Sequence, residues 1–384
     1  MLYRKKYIDL LRQLLTNSKD RYFAIVWPHR IGKSTFLREC EQFDIFWSSH
    51  QYQHIEVHAR ESLREKTLKK GITTIIIDSQ GSIDFSDIRS FIEPLSSDIR
   101  VIFIVEQEIV EEGVSLFHLP TISLREYLEH EHGELQIGDI LSGNIDISKL
   151  NLSRDLYIKR GGYPEPLLEW TGWKKLFEEK RWILYSELYE KEYSIFDSYL
   201  RTIAMNIGNL FKADQIAKLL GISRRKVNKY TEIALKYDIV KAIGPWVQDA
   251  AVETSRHVKL YFSDLWYLSV ILWEIHGEGT LKQGTIENLI FLELIRKLEG
   301  THMLYFYRKK SWADITYIAE NTENTLITPI EVTVRASDVT PQVFRAFDDE
   351  YHARVERYMI CNDSKSGISS INDTQIMILP HIGI

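Results

Sequence analysis

The sequence predicts an α/β chain of several domains: a parallel sheet with crossover helices at the front, a helix-turn-helix segment in the middle, and a second α/β domain at the end. Three observations carry this. Short β-branched apolar runs alternate with helical stretches over the first part of the chain. Residues 212–246 hold two short helical patterns separated by Gly221, Ile222 and Ser223. Residues 280–384 return to strands flanking amphipathic helices. With 384 residues the chain exceeds the roughly 100–200 of one domain, so two or three cores are expected.

In the first part, Tyr22 to Val26 is an apolar run, followed by WPHRIGKS and then by the helical pattern TFLRECEQF. Further runs end at Asp78 (ITTIIID) and Val105 (IRVIFIV). Such runs, separated by helices, build a parallel sheet from βαβ units. LPTISLREYL reads as a loop entering a helix, with Ser123 as N-cap and Glu126 three residues on. GGYPEP breaks the charged, aromatic helices of 154–200. In the middle, KADQIAKLLG ends at Gly221, and Ser223 caps a second helix whose apolar face is Val227, Tyr230, Ile233 and Ala234. IVKAIGPWV and VKLYFSD then supply strands for a wing. The expected domains are 1–128, a P-loop core; 129–200, a helical lid region; 201–265, a winged helix-turn-helix; and 280–384, the second α/β domain.

Bulk properties narrow the function. A charged fraction of 27% against 44% hydrophobic is that of a folded globular chain. The net charge of −6 requires any nucleic-acid contact to come from a local patch. Two cysteines, Cys40 and Cys361, make no disulfide framework. No apolar run reaches the 18 or more residues of a membrane span. Together these point to a cytoplasmic protein.

The run Trp27 to Ser34 has the end of a phosphate-binding loop, Gly32, Lys33 and Ser34, between a strand and a helix. In such a loop the backbone N–H groups and the helix N-terminus hold an anion, the lysine reaches the β/γ oxygens and the hydroxyl holds Mg²⁺. Asp78, at the end of IIID, is placed to hold the same Mg²⁺ through water. ATP and Mg²⁺ are therefore the expected cofactors, with Lys33 and Asp78 as the catalytic pair.

Residues 212–241 hold eight basic residues against three acidic ones, a local +5. Arg224, Arg225, Asn228 and Lys229 open the second helix, the end that meets bases or phosphates in helix-turn-helix proteins. Double-stranded DNA is the expected partner. His50, His54 and His58 lie in an alternating segment that spreads them apart, and His130 and His132 decorate a helix end; neither reads as a metal site. Cys40 reads as a small buried residue on the helix after the loop.

Taken in order, the motifs resemble those of archaeal and bacterial AAA-type ATPases with a C-terminal restriction-endonuclease-like domain of unknown function. WPHRIGKST matches that family's GPRRVGKTT at Pro28, Arg30 and Gly32 to Thr35. LPTISLREYL matches at Ser123, Glu126 and Leu128, and GGYPE is intact from Gly161 to Glu165. KLYFSD (Lys259 to Asp264), the helix with Gly284, Glu287, Asn288, Glu293 and Leu294, YFYR with Asp314, and PIEVT (Pro329 to Thr333) follow. The resemblance implies an α/β P-loop (AAA+) domain, a winged-helix domain and a C-terminal α/β domain of PD-(D/E)XK type. It implies nucleotide contacts from Pro28, Arg30, Ile31, Gly32, Lys33, Ser34 and Thr35, Mg²⁺ on Ser34 and Asp78, and a nuclease-type metal site at Glu287, Asp314 and Glu331. A protein partner or a homo-oligomer is a further expectation.

Four departures touch hydrolysis. Trp27 replaces the first glycine, Ser79 replaces the glutamate after Asp78, the strand to Val105 runs on into Glu106 and Gln107, and the arginine before the LPTIS segment is missing. Losing a general base costs roughly 10²–10⁴ in rate. In the last domain Thr333 stands where a nuclease carries lysine, so the site reads as a nuclease shell. The leading expectation is an ATP-binding, DNA-associated switch with weak hydrolysis. The alternatives are a non-catalytic scaffold and an active Mg²⁺-dependent nuclease.

Overall fold

The computed structural model describes residues from 4 onward except 19, 27–35, 37–39, 41–51, 59–69, 81–89, 92, 96–97, 106–111, 143, 170–171, 248–256, 277–282, 309–313, 336–337, 339–343, 372–373 and 384. Two compact units divide between Thr121 and Ile122.

The first unit opens with α1 (Lys5–Asn17) and contains β1 (Tyr22–Val26), β2 (Tyr52–His58), β3 (Thr74–Gln80), β4 (Arg100–Val105) and β5 (Val114–His118). All five strands are parallel, in the order β2-β3-β4-β1-β5. Both faces of the sheet are covered, which is why the central strands β1 and β4 and the middle of β3 are continuous apolar runs, while the edge strands β2 and β5 carry polar residues. Tyr7, Ile8, Leu11 and Leu15 of α1 join Phe36 and Cys40 against Phe23, Ile25, Ile76, Ile102 and Ile104. Phe91 packs on the opposite face with Ala24, Val26, Ile75, Ile77 and Phe103. Phe36 and Cys40 are helical, as the pattern after the loop predicts. The expected strands at Tyr22–Val26 and up to Val105 are present, and the one expected to end at Asp78 runs on to Gln80.

The second unit begins with α2 (Leu124–His132), α3 (Ile137–Ser142), α4 (Ile147–Arg160) and α5 (Trp173–Tyr185). Ser123 and Glu126 close a reciprocal capping box at the start of α2. Leu124 N–H also donates to Glu293 Oε1 at 3.0 Å, so this segment belongs to the second unit, ahead of the expected boundary at 128. Three helices follow, α6 (Tyr193–Met205), α7 (Ala213–Leu220) and α8 (Arg224–Lys236), then an antiparallel ribbon of β6 (Val240–Ile243) and β7 (Lys259–Phe262). Gly221 ends α7 in the left-handed region and Ser223 caps α8, as expected. Val227, Tyr230, Ile233 and Ala234 are all buried. Tyr230 meets Phe196 edge-on at 5.2 Å, which fixes α8 on α6.

After α9 (Leu265–His276) and α10 (Gln283–Leu298) come β8 (His302–Arg308), β9 (Asp314–Asn321), β10 (Ile327–Val332), α11 (Arg345–Tyr351), β11 (Tyr358–Asn362), β12 (Gly367–Ile371) and β13 (Thr374–Pro380). Their sheet has the order β12-β13-β11-β10-β9-β8. β9 runs antiparallel to β8 and β10, while β10, β11 and β13 are parallel. The aromatic rings of α11 pack with Trp246, Tyr307 and Tyr358 on one face. On the other, Phe291 of α10 lies 6.4 Å from Tyr317. The β8 edge is covered by the segment after β6: Trp246 N–H donates to Phe306 O and Phe306 N–H to Gly244 O.

Candidate functional site

In the first unit the register places Ile25, Ile104 and Asp78 in one row across β1, β4 and β3. Two strand spacings put Asp78 about 10 Å from Ile25. Ile76 faces the side covered by α1, Phe36 and Cys40, so Asp78, two residues on, projects to that same side. It is 5% exposed. The chain leaves β1 for the far edge of the sheet, steps back through β3 and β4, and then crosses to β5 on the other side of β1. This reversal is a topological switch point, and ligands of open parallel sheets bind at the carboxyl ends of the strands there. Residues 27–35 follow directly from that end. Pro28, Arg30, Ile31, Gly32, Lys33, Ser34 and Thr35 lie outside the described residues, as do Trp27, Glu106 and Gln107.

In the second unit, α8 presents fewer open cations than its composition predicts. Lys226 and Lys229 both pair with Glu192, at 3.1 and 3.3 Å. Burial opposes the Glu192 charge, but hydrogen bonds from Lys226, Tyr189 N–H and Lys229 prevail and hold its carboxyl down at about 2. Arg224 pairs with Asp214, Lys236 with Glu187 and Lys241 with Asp238. Of the predicted DNA-facing residues, Arg225 and Asn228 are exposed and make no ion pair or hydrogen bond through their side chains among the described residues. Arg224 forms an exposed pair worth little, and Lys229 is committed to Glu192. The partner Glu192 lies outside residues 212–241, so counting charge in that window missed it.

The other motifs meet one another inside the second unit. Asp264 accepts from Gly162 N–H at 3.0 Å and from Trp266 N–H at 2.8 Å, joining GGYPE to KLYFSD. Asn288, fully buried, receives Phe262 N–H on Oδ1 at 2.7 Å and donates Nδ2 to Phe262 O at 2.8 Å, joining KLYFSD to the EN helix. Glu293 takes Leu124 N–H and the Arg296 guanidinium, joining that helix to α2. These residues are structural fasteners.

Glu287, Asp314 and Glu331 sit on α10, β9 and β10. Glu287 Oε1 accepts from Gln283 and its Oε2 from the Tyr261 hydroxyl, at 3.0 and 3.4 Å. Glu331 Oε2 accepts Thr316 N–H and Thr316 Oγ1–H, both at 3.0 Å. Burial pushes Glu331 up to about 7 against those hydrogen bonds, and the charges of Glu287 and Asp314 push the same way. Burial also raises Glu287, with Asp314 adding to it. A register irregularity sets Thr316 and Tyr317 of β9 opposite the single residue Phe306 of β8, while Asp314, which is exposed, stays in register with Arg308. Among the described residues no group of three or more His, Cys, Asp or Glu side chains is arranged to hold a metal, so the three carboxylates expected as a metal cage do not form one. They lie on separate elements, with Glu287 bonded to Gln283 and Tyr261 and Glu331 to Thr316. His132 bonds Ser153 Oγ at 2.8 Å, consistent with a structural helix end.

The chain matches a family model, a domain of unknown function (DUF8612), over residues 152–269. Among solved structures it is similar to DNA-bound Orc1 of Aeropyrum pernix, at 13% identity and a TM-score of 0.28, covering 71% of this chain and 93% of that one. It is similar to the RuvB Holliday junction branch migration motor of Thermotoga maritima, at 13% identity and 0.27, covering 62% and 89%. A single-residue variant of the same RuvB gives 15% identity and 0.28, covering 62% and 87%. Scores this low carry no weight for what the chain does. No curated protein matches it. Among the described residues no helix is long and apolar enough to cross a membrane.

Proposed function

We propose that the first unit is an AAA+-type nucleotide-binding domain and that the chain acts as a nucleotide-controlled, DNA-associated switch. The observation that carries this is the row Ile25, Ile104, Asp78, at the switch point of a parallel sheet whose first strand leads directly into WPHRIGKST. In this reading Lys33 meets the β/γ-phosphates, Ser34 and Asp78 share Mg²⁺, and Pro28, Arg30, Ile31, Gly32 and Thr35 line the cradle. Ser79 supplies no base, so binding outlasts hydrolysis. Residues 201–265 act as a winged helix whose Arg225 and Asn228 reach DNA, with Arg224 and Lys229 joining once released from their acidic partners.

Calorimetry with ATP and Mg²⁺ on the wild type and on Lys33→Ala tests the reading. Micromolar binding abolished by the substitution supports it. Failure of the wild type to bind means that Trp27 closes the cradle, and the switch is abandoned.

A scaffold that uses these folds for protein contacts is the second reading. It is favoured by the pairing of Lys226 and Lys229 with Glu192, which spends the cations of α8 inside the molecule. An unchanged Lys33→Ala protein that keeps its partner and ignores DNA decides for it.

A further inference from the structure

The connection between α5 and α6 runs along α8 from the end of that helix toward its start. Glu187 accepts from Lys236 Nζ and from the Tyr237 hydroxyl, both at 2.6 Å, at the end of α8. Glu192 takes Lys226 and Lys229 nearer the start. Between these two anchors stands Tyr189. Its backbone N–H donates to Glu192 Oε2 at 3.3 Å, the same oxygen that Lys229 reaches. The main chain thus holds the tyrosine in place, while the residue stands out from the surface, 73% exposed.

The neighbouring rings are packed. Tyr185 and Tyr193 stack at 3.9 Å, and Phe196 meets Tyr230 in the interior. Tyr189 has no ring partner among the described residues. Positive charge surrounds it instead: Lys229 Nζ lies 5.8 Å and Lys191 Nζ 6.0 Å from its ring centroid. Arg225 is one turn of α8 from Lys229, on the same side of the helix. Arg225 and Lys191 are exposed and form no ion pair among the described residues. The exposed acids of the connection and of α8, Glu190 and Glu232, are outnumbered by the exposed bases Lys191, Arg224, Arg225 and Lys236.

An open ring among cations offers a nucleic acid two kinds of contact. The cations hold phosphates whatever the sequence. The ring holds a base by stacking, which tolerates any sequence because every base has a π face. Within a duplex both faces of each base are covered by the adjacent pairs, so the ring can stack on a base only where the strand is unpaired or ends.

We infer that Tyr189 is a stacking platform for an unpaired base beside a duplex seated on α8, and that the partner is DNA that opens from duplex into a single strand, as at an overhang or a fork. The inference rests on the reading of α8 as the DNA-contacting helix. Phosphates of the duplex lie on Arg225 and Lys229, the single strand leaves past Tyr189, and Lys191 takes a phosphate of that strand.

The test is fluorescence anisotropy on the full chain, with ATP and Mg²⁺ present, against a blunt duplex and the same duplex carrying a single-stranded thymidine arm. The arm is expected to raise the affinity of the wild type about 10-fold. Tyr189→Ala is expected to lose that gain and keep its affinity for the blunt duplex, while Tyr189→Phe keeps both. 5-Iodouracil in the arm is expected to photocrosslink to Tyr189, read by mass spectrometry. Equal affinity of the wild type for the two DNAs overturns the stacking platform and leaves the duplex reading of α8 standing. No binding to either DNA overturns both. A folded Tyr189→Ala that keeps the gain also overturns the platform. If Tyr189→Ala does not fold, the crosslink decides, and its absence from Tyr189 overturns the platform.

Discussion

Asp264 and Gly161 are in contact so close that only a glycine fits: a Cβ on residue 161 would lie 2.2 Å from Asp264 Oδ1 and 2.2 Å from Trp266 N. Gly161 also has φ of +68°, in the left-handed region. Gly161→Ala therefore combines a backbone clash with strain, and should destabilise the second unit by more than about 3 kcal/mol. Urea unfolding followed by tryptophan fluorescence measures it. A cost below about 1 kcal/mol would show that the turn re-forms elsewhere.

Asn288 acts as a short stretch of strand, giving and taking one hydrogen bond with Phe262. Asn288→Leu leaves both buried backbone groups unmet and should cost about 2–4 kcal/mol. Asn288→Asp keeps the acceptor for Phe262 N–H but sets a carboxylate against Phe262 O, and should be no better. Denaturant midpoints of the two variants check this.

Arg225, at the start of α8, is exposed and its side chain pairs with no group among the described residues. Arg225→Ala should weaken DNA binding and lower the slope of log K against log salt by about 1. Glu192→Gln, which loosens Lys226 and Lys229, should strengthen binding and steepen that slope. Fluorescence anisotropy over a salt series reads both. Equal slopes in all three proteins would remove α8 from the interface.

Ser79 stands where a hydrolytic base is expected. Ser79→Glu should raise ATP turnover by about 100-fold over the wild type. A phosphate-release assay that finds no gain would place the limiting step elsewhere.

His381 is almost fully buried, with Nε2–H donated to Thr333 O at 2.8 Å and Nδ1 accepting from Arg154 at 3.2 Å. Burial, and then the charge of Arg154, lower its pKa to about 4. A base held below its unfolded value stabilises the fold in its neutral form. That contribution is present above about pH 6.5 and is lost as pH falls toward 4, a loss on the order of 3 kcal/mol. Unfolding free energies between pH 7 and 4 should fall by that amount, and His381→Gln should flatten the profile.

Much of this was legible in the residues. The apolar runs at Tyr22–Val26 and up to Val105 announced a sheet buried on both faces, because only such strands can do without polar alternation. Ser123 with Glu126, and Gly221 with Ser223, marked helix ends through local hydrogen bonds that need no distant partner. Local chemistry decides local structure.

What the tertiary structure alone decided is which distant groups meet. The +5 of residues 212–241 gave no sign that Glu192 would take up Lys226 and Lys229. Only the packing of the ribbon against α10 brought the Tyr261 hydroxyl to Glu287 and its ring onto Phe291. The order β2-β3-β4-β1-β5, which sets Asp78 two strands from β1, is likewise a property of the assembled sheet. Periodicity along the chain records which face of an element is buried; it holds no record of what lies across that face, because pairing is chosen by the whole core at once.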